Sequence, residues 1–183
     1  MGQVISALPG VSATQRVALL AEWIITNRHV ARETWRNYSA MMCWDAVFMC
    51  AAQAGGVRVP GFDPKSSNRI PSVVLPRRYD HVFDPENAVN SANELRELSR
   101  GSLIGFVGPE HNTPGNQRVL RHVMIYTGRG RGIGTKNNCI YAAGSANGWE
   151  SLDMTTFFAP GADAARNPGT IMVWFEVSGQ PVF

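Results

Sequence analysis

The sequence predicts a single domain of the α+β class, with helices in the N-terminal half and an antiparallel sheet in the C-terminal half. Its 183 residues are 44% hydrophobic and 17% charged, a composition typical of one globular core. Before residue 56 the apolar residues recur at helical spacing. After residue 100, short segments rich in β-forming residues alternate with glycine-bearing turns, which indicates strands. The predicted domain spans 1–183, with 1–11 as a loose lead-in.

Two helices are predicted in the first part of the chain. Ser12 and Gln15 form a capping box, and the apolar spacing that follows predicts a helix over about 13–27, or a longer one continuing through "HVARETW". A second helix is expected over about 40–54, because Ser39 can act as its N-cap and Gly55-Gly56 ends the pattern.

The rest of the chain alternates irregular segments with predicted strands. Five prolines interrupt 57–90, which is expected to be irregular. Ser91 and Glu94 form a second capping box and predict a short helix to about Ser99. The segment "GRGRGIGTKNN" (128–138) is interpreted as a hairpin loop, with Arg129, Arg131 and Lys136 at the rim of the site proposed below. Strands are expected over 102–108, 118–128, 138–144 and 170–177.

Charge and motifs exclude several classes of function. The net charge of +3 is too weak to indicate a nucleic-acid partner, although it suits an anionic one. No apolar stretch is long enough to span a membrane. No spacing of cysteine and histidine matches a metal module, and no cofactor is expected. No secretory signal is visible, whereas Met1-Gly2 followed by Ser6 matches the N-myristoylation pattern.

Two of the three cysteines lie on the second predicted helix. Cys43 and Cys50 are seven residues apart, or roughly 10 Å along a helix axis, which is too far for a disulfide. Cys43 lies near the helix N-terminus, where the helix dipole and unpaired N–H groups favour a thiolate. Cys50 lies in mid-helix among apolar residues and is expected in the core. Cys139 begins a predicted strand, and nothing there favours reactivity.

A thiolate nucleophile needs a general base within hydrogen-bond reach. Of the four histidines, His122 alone lies within a strand pattern, where a sheet can hold it in place. His29, His81 and His111 lie in or beside polar segments. The predicted pair is therefore Cys43 and His122. The alternative is that both are core residues without a chemical role.

Four segments resemble the NlpC-type cysteine peptidases of the papain-like superfamily, in the same order along the chain. "CWDAVFMCAAQAGG" (43–56) resembles the nucleophile helix. "LSRGSLIGF" (98–106) is similar to the entry into the sheet, with Ser102 where aspartate is usual. "HVMIYTGRG" (122–130) resembles the strand that carries the catalytic histidine, and "CIYAAGS" (139–145) resembles the strand that follows. The resemblance implies a papain-like fold and a cysteine nucleophile.

The resemblance also implies further site residues. The residue that orients the histidine is expected to be Asn138, with Tyr141, Asn137 and Ser145 as alternatives, since papain-like enzymes use an asparagine for this purpose. For the oxyanion hole, the resemblance implies the backbone N–H of Cys43 together with Asn37, or Tyr38 as a second candidate.

The activity implied by the resemblance is cleavage of amide bonds in peptidoglycan stem peptides. The expected protein is an antibacterial effector toxin, cytoplasmic before delivery and then secreted or injected without a signal peptide, and paired with an immunity protein. One alternative is an effector acting on a host protein as a protease, deamidase or acyltransferase. The other is a non-catalytic binding domain on a papain-like scaffold.

Overall fold

Helices precede the sheet along the chain, as the sequence predicts. The structure, a computed structural model, describes residues 10–54, 85–109, 118–139, 148–162 and 169–175. The N-terminal helices are α1 (Ala13–Thr26), α2 (Arg32–Ala40) and α3 (Cys43–Gln53), and a short α4 (Ala92–Glu97) follows. Gly2 and most of the lead-in lie outside the described residues.

The described strands form one six-stranded antiparallel sheet in the order β1-β6-β2-β3-β4-β5. This confirms the predicted α+β class. The strands are β1 (Ala88–Val89), β2 (Leu103–Pro109), β3 (Arg118–Gly128), β4 (Arg131–Gly134), β5 (Glu150–Asp153) and β6 (Ile171–Phe175). Among the residues described, three short 3-10 turns accompany these strands, at Pro85–Asn87, Asn137–Cys139 and Met154–Phe158.

The start of α1 confirms the predicted capping box. The Ser12 hydroxyl accepts the Gln15 backbone N–H at 3.1 Å, and the Gln15 side chain accepts the Ser12 N–H at 3.2 Å. The longer alternative for this helix is wrong, because α1 ends at Thr26 and α2 begins at Arg32. Asn27 closes α1 through its side-chain amide, which donates to the carbonyl of Trp23 at 3.0 Å.

The helix that carries the two cysteines starts later than predicted. Ser39 lies within α2 and does not cap α3. Its hydroxyl donates to the Trp35 carbonyl at 2.7 Å and accepts the Trp149 backbone N–H at 2.9 Å. Met42 takes the N-cap position of α3 in an extended conformation, and Cys43 is therefore the first residue of the helix.

The sheet separates two apolar cores. Helices α1 and α3 pack on one face, here called the helix-side core, which includes Val123 and Ile125 of β3. The other face, here called the opposite core, includes Phe106, Met124 and Tyr126 and packs against the Met154–Phe158 turn. Consecutive residues of β3 thus face alternate cores, as strand geometry requires. None of the described helices has the length and apolar character needed to cross a bilayer.

The strand predictions are partly confirmed. Strands β2, β3 and β6 match predicted segments, and β3 has the predicted bounds. The expected strand over 138–144 is wrong at its start, because Asn137–Cys139 form a 3-10 turn; residues 140–144 lie outside the described residues. The predicted loop 128–138 contains β4, so that interpretation is also wrong.

Candidate active site

A β-bulge sets the direction of His122. In the pairing of β2 with β3, Phe106 lies opposite His122 and Val107 lies opposite Leu120, so Arg121 is the extra residue. Because paired residues share a face, His122 faces the same core as Phe106. The two rings are tilted by 43° with their centroids 5.7 Å apart, and the His122 side chain is fully buried.

Asn137 holds the imidazole of His122. The distance from His122 Nε2 to Asn137 Oδ1 is 2.8 Å. The Asn137 amide nitrogen donates to the Gly134 carbonyl at 3.2 Å and to Glu150 Oε1 at 3.1 Å. Because both of these partners only accept, the amide oxygen must face the ring, and His122 Nε2 must carry the proton. In the neutral ring the other nitrogen, Nδ1, is then the basic atom.

Burial keeps the His122 ring neutral. Loss of hydration lowers its pKa to about 4, and the hydrogen bond with Asn137 opposes that shift only in part. Near neutral pH the ring is therefore an uncharged imidazole, which can accept a proton at Nδ1. The same burial makes it a weaker base than an exposed histidine.

Cys43 lies at the N-terminus of α3 and is 2% exposed. The side chain of the N-cap residue Met42 makes no hydrogen bond to the N–H groups of the first turn. The partial positive charge of the helix N-terminus would stabilise a thiolate or a substrate oxyanion at this position. Asp45, in the same turn, adds a negative charge that favours the helix but opposes a thiolate.

Cys50 occupies the core, which confirms its predicted structural role. It is fully buried, its thiol donates weakly to the Val17 carbonyl at 3.8 Å, and burial raises its pKa far above the ordinary value. Neither Cys43 nor Cys50 is part of a disulfide. Cys50 is therefore an internal reference for the reactivity of Cys43.

Cys43 and His122 lie on neighbouring elements at one end of the sheet. Helix α3 packs on β3, and the residues just before α3 reach the end of β4, where Thr135 Oγ1 donates to the Ser39 carbonyl at 3.2 Å. Ile133 pairs with Ile125, so Thr135 lies level with Val123, next to His122. Cys43 belongs to the helix-side core, however, whereas His122 faces the opposite core.

Strand β4 ends before its pairing with β3 reaches His122. Strand β4 stops at Gly134, and the chain turns through Asn137–Cys139, so its pairing with β3 does not extend to His122. The edge of β3 beside His122 is therefore not covered by a β4 ladder. The structure joins His122 to Asn137, and the pairing of Cys43 with His122 stays a prediction.

The predicted orienting residue needs correction. Asn138, which the sequence favoured, is exposed, whereas Asn137 is fully buried and makes the contact with His122. The prediction assumed a strand at this point. The 3-10 turn instead directs the first of the two asparagines inward. Tyr141 and Ser145 lie outside the described residues.

The oxyanion candidates lie in different places. Asn37 is exposed on α2, and its role stays a prediction. The Tyr38 hydroxyl donates to Gln53 Oε1 at 2.9 Å. Gln53 ends α3, ten residues or about 15 Å beyond Cys43, so Tyr38 is directed away from the nucleophile. The indole N–H of Trp44, the residue after Cys43, is buried and has no hydrogen-bond acceptor among the described residues. No local pattern in the sequence indicates this unpaired donor.

The basic residues of the predicted loop lie at opposite ends of β4. Lys136, next to Asn137, adopts a positive φ of 59°, an uncommon conformation for a lysine. Arg129 and Arg131 lie at the other end, beyond Thr127, roughly 17 Å along β3 from His122. The expectation that all three lie at the rim of one site is therefore wrong for the two arginines.

The comparisons with known proteins give no family assignment: the chain matches no protein-family model, no curated protein and no solved structure. Within the described part of the chain, no group of three or more His, Cys, Asp or Glu side chains is arranged to hold a metal ion.

Proposed function

We propose that this protein is a papain-like cysteine hydrolase that cleaves amide bonds, with Cys43 as nucleophile, His122 as general base and Asn137 as positioning residue. The observation that carries the proposal is the buried hydrogen bond from His122 Nε2 to Asn137 Oδ1. It fixes the tautomer in which Nδ1 is basic, on the strand against which the cysteine-bearing helix packs. The sequence resemblance supplies the same roles for Cys43 and His122.

The reaction follows from these groups. The Cys43 thiol gives its proton to His122 Nδ1, and the sulfur attacks the amide carbonyl carbon. The backbone N–H of Cys43 stabilises the oxyanion of the tetrahedral intermediate. The imidazolium then protonates the leaving amine as the C–N bond breaks. Water, deprotonated by the same imidazole, hydrolyses the thioester and releases the acid.

The reaction requires the sulfur and the ring to meet at the end of β4. Cys43 belongs to the helix-side core and His122 faces the opposite core, so the proposed reaction requires one of the two side chains to change its conformation. In this proposal the Trp44 indole N–H, which is buried and has no acceptor within the part of the chain that the structure describes, is a second donor for the oxyanion. A buried unpaired donor is unfavourable and would be satisfied by the substrate oxygen.

The proposed substrate class is the peptide part of peptidoglycan. The resemblance of 43–56 and 122–130 to the NlpC-type enzymes supports this choice, and the mildly basic chain suits an anionic polymer. In this proposal the protein acts as an antibacterial effector toxin that a dedicated immunity protein inhibits.

Two measurements test the proposal. Alkylation by iodoacetamide at neutral pH, followed by peptide mass spectrometry, should modify Cys43 at least tenfold faster than Cys50, and His122→Gln should slow the modification of Cys43. Incubation with purified sacculi should release muropeptides cut within the stem peptide. Cys43→Ala should abolish the release, and the matched variant Cys50→Ala should retain it wherever it remains folded. Equal alkylation rates together with intact muropeptides would refute the proposal.

A second candidate function is a non-catalytic binding domain on the same scaffold. The burial of both Cys43 and His122, together with the lowered pKa of His122, favours it, because an exposed, readily protonated pair is expected of an active enzyme. In that case Cys43→Ala would leave binding to sacculi, measured by co-sedimentation, unchanged, and no cleavage would accompany binding.

A further inference from the structure

A cleft lies at the end of the sheet opposite to His122. It has a volume of about 530 Å³ and is formed by the end of α1 and the hairpin that joins β3 to β4. The half-buried Ile25 contributes apolar surface, whereas Ile133 is 1% exposed and contributes almost none. Arg100, Arg129 and Arg131 contribute three guanidinium groups, and Glu22 contributes the one carboxylate of the lining. None of these residues takes part in the proposed hydrolysis.

The charges of the cleft are only partly compensated. Arg100 forms an ion pair with Glu22. Arg131 bonds neutral acceptors instead: its Nε and Nη2 donate to the side-chain and backbone oxygens of Ser151, each at 3.0 Å. Its cross-strand neighbour Asp153 accepts the Thr155 backbone N–H at 2.9 Å and the Thr155 hydroxyl at 2.6 Å. These hydrogen bonds lower the pKa of the Asp153 carboxyl, and the positive charge of Arg131 contributes to the shift. Three guanidinium groups therefore stand against the two carboxylates of Glu22 and Asp153, which leaves one positive charge in excess.

The backbone at Arg129 gives a second, independent indication. Arg129 and Gly130 form the two-residue turn between Gly128 and Arg131, with φ of 54° and 75°. A turn with two positive φ values prefers Asn-Gly, because L-residues with longer side chains are strained there. An arginine at this position does not help the turn. Strain of this kind at an unfavourable residue points to a role for the side chain.

We propose that this cleft binds an organic anion, with an apolar body against Ile25 and an oxyanion group held by Arg129 and Arg131. Guanidinium groups bind carboxylate and phosphate through paired, charge-assisted hydrogen bonds. The Ile25 side chain would supply apolar contact area that an inorganic ion cannot use. This site is separate from the proposed nucleophile and does not depend on the proposed function.

The test compares ligands that share parts of this chemistry. Isothermal titration calorimetry is carried out with naphthyl phosphate, naphthoate, naphthol and inorganic phosphate. At least one of the two naphthyl anions should bind at least tenfold more tightly than both naphthol and inorganic phosphate. The stronger of the two anions identifies the preferred head group. If neither anion binds more tightly than naphthol, the proposal is wrong.

The variants separate binding from stability. Arg129→Asn removes one positive charge from the cleft and gives the turn its preferred Asn-Gly sequence. It should weaken binding of the naphthyl anion about tenfold and leave the thermal unfolding midpoint unchanged or higher. Arg36→Gln, which removes an exposed arginine of α2 outside the cleft, is the matched control and should bind normally. Equal losses in the two variants would show a general charge effect and overturn the proposal.

Discussion

At the scale of single residues, the His122–Asn137 contact is the best-defined feature of the candidate site. Both side chains are fully buried, and Asn137 uses its amide to bond three separate partners. A buried polar network of this kind is stabilising only while every member is satisfied. The contact can therefore be tested by stability measurements, even before any substrate is known.

Replacing Asn137 should destabilise the fold, whereas replacing its neighbour should not. Asn137→Ala removes the hydrogen bonds that Asn137 makes with His122 Nε2 and Glu150 Oε1 inside the protein, which costs about 1–3 kcal/mol of unfolding free energy. Asn138→Ala removes an exposed side chain and should stay within about 0.5 kcal/mol. Urea denaturation of both variants gives the comparison. A larger loss for Asn138→Ala would mean that the wrong asparagine has been assigned to the ring.

The stability of the protein should fall with acid because His122 is buried neutral. The pKa of His122 is about 4 in the folded chain and about 6.5 in an unfolded one. The unfolded state therefore binds the proton first as pH falls below about 6.5. Stability from this group is complete above that pH and is lost progressively toward pH 4, by about 3 kcal/mol in total.

The measurement is the unfolding free energy between pH 7 and pH 4, compared between the native protein and two variants. His122→Gln removes the titrating ring and should flatten the curve over this range. His29→Gln, which changes an exposed histidine, should keep the native slope. A native slope retained in His122→Gln would assign the pH dependence to other groups.

At the scale of elements, the sequence predicts those parts of the fold whose signals are local. The capping box of α1 and the strands β2, β3 and β6 could be read from spacing and composition. Strands β4 and β5 could not. In β4, Gly132 faces Met154, and a Cβ there would lie 2.1 Å from the Met154 sulfur. Tertiary packing therefore requires glycine at position 132. Because glycine has a low β-propensity, the sequence of β4 does not indicate a strand.

The residues of the candidate site also divide into those that local sequence signals predict and those that depend on tertiary structure. Cys43 could be chosen because a helix N-terminus is a local feature, and His122 because its strand is strongly β-forming. The choice between Asn137 and Asn138 could not be made locally. It depends on a 3-10 turn that forms where β4 leaves the sheet, and on Glu150 from β5, which fixes the Asn137 amide.

The N-terminus of α3 should gain stability from a better cap. Met42 is 38% exposed and contributes no side-chain hydrogen bond, although its backbone is extended as in ordinary N-caps. Met42→Ser should stabilise the fold by about 1 kcal/mol. Met42→Asp should stabilise it similarly, but its charge should slow alkylation of Cys43 by raising the free energy of the thiolate.

These two variants distinguish capping from electrostatics. Both are compared with the native protein by urea denaturation and by the rate of Cys43 alkylation. A slower rate in Met42→Asp than in Met42→Ser, at equal stability, is the expected result. If neither variant is more stable than the native protein, then the first-turn N–H groups of α3 already have other acceptors.

At the scale of the whole molecule, the structure depends on how the N-terminal helices attach to a sheet formed much later in the chain. One attachment is made by backbone alone. Gly101, just before β2, donates its N–H to the Tyr126 carbonyl of β3 at 2.7 Å. It also lies directly against the first turn of α1, where an added Cβ would come within 1.8 Å of the Thr14 carbonyl oxygen.

Gly101→Ala should therefore be among the most destabilising single substitutions in the chain. Its φ of 97° is unfavourable for alanine, and the new methyl group would force α1 away from the sheet. We expect a loss of more than about 4 kcal/mol, measured by urea denaturation. Gly161→Ala is the matched control, since Gly161 has a φ of 77° with nothing within 4 Å of an added Cβ. Gly161→Ala should lower the unfolding free energy only through the unfavourable positive φ, by about 1–2 kcal/mol. The difference between the two variants measures the close packing of α1 on the sheet, and equal losses would show that this contact is not as tight as the structure has it.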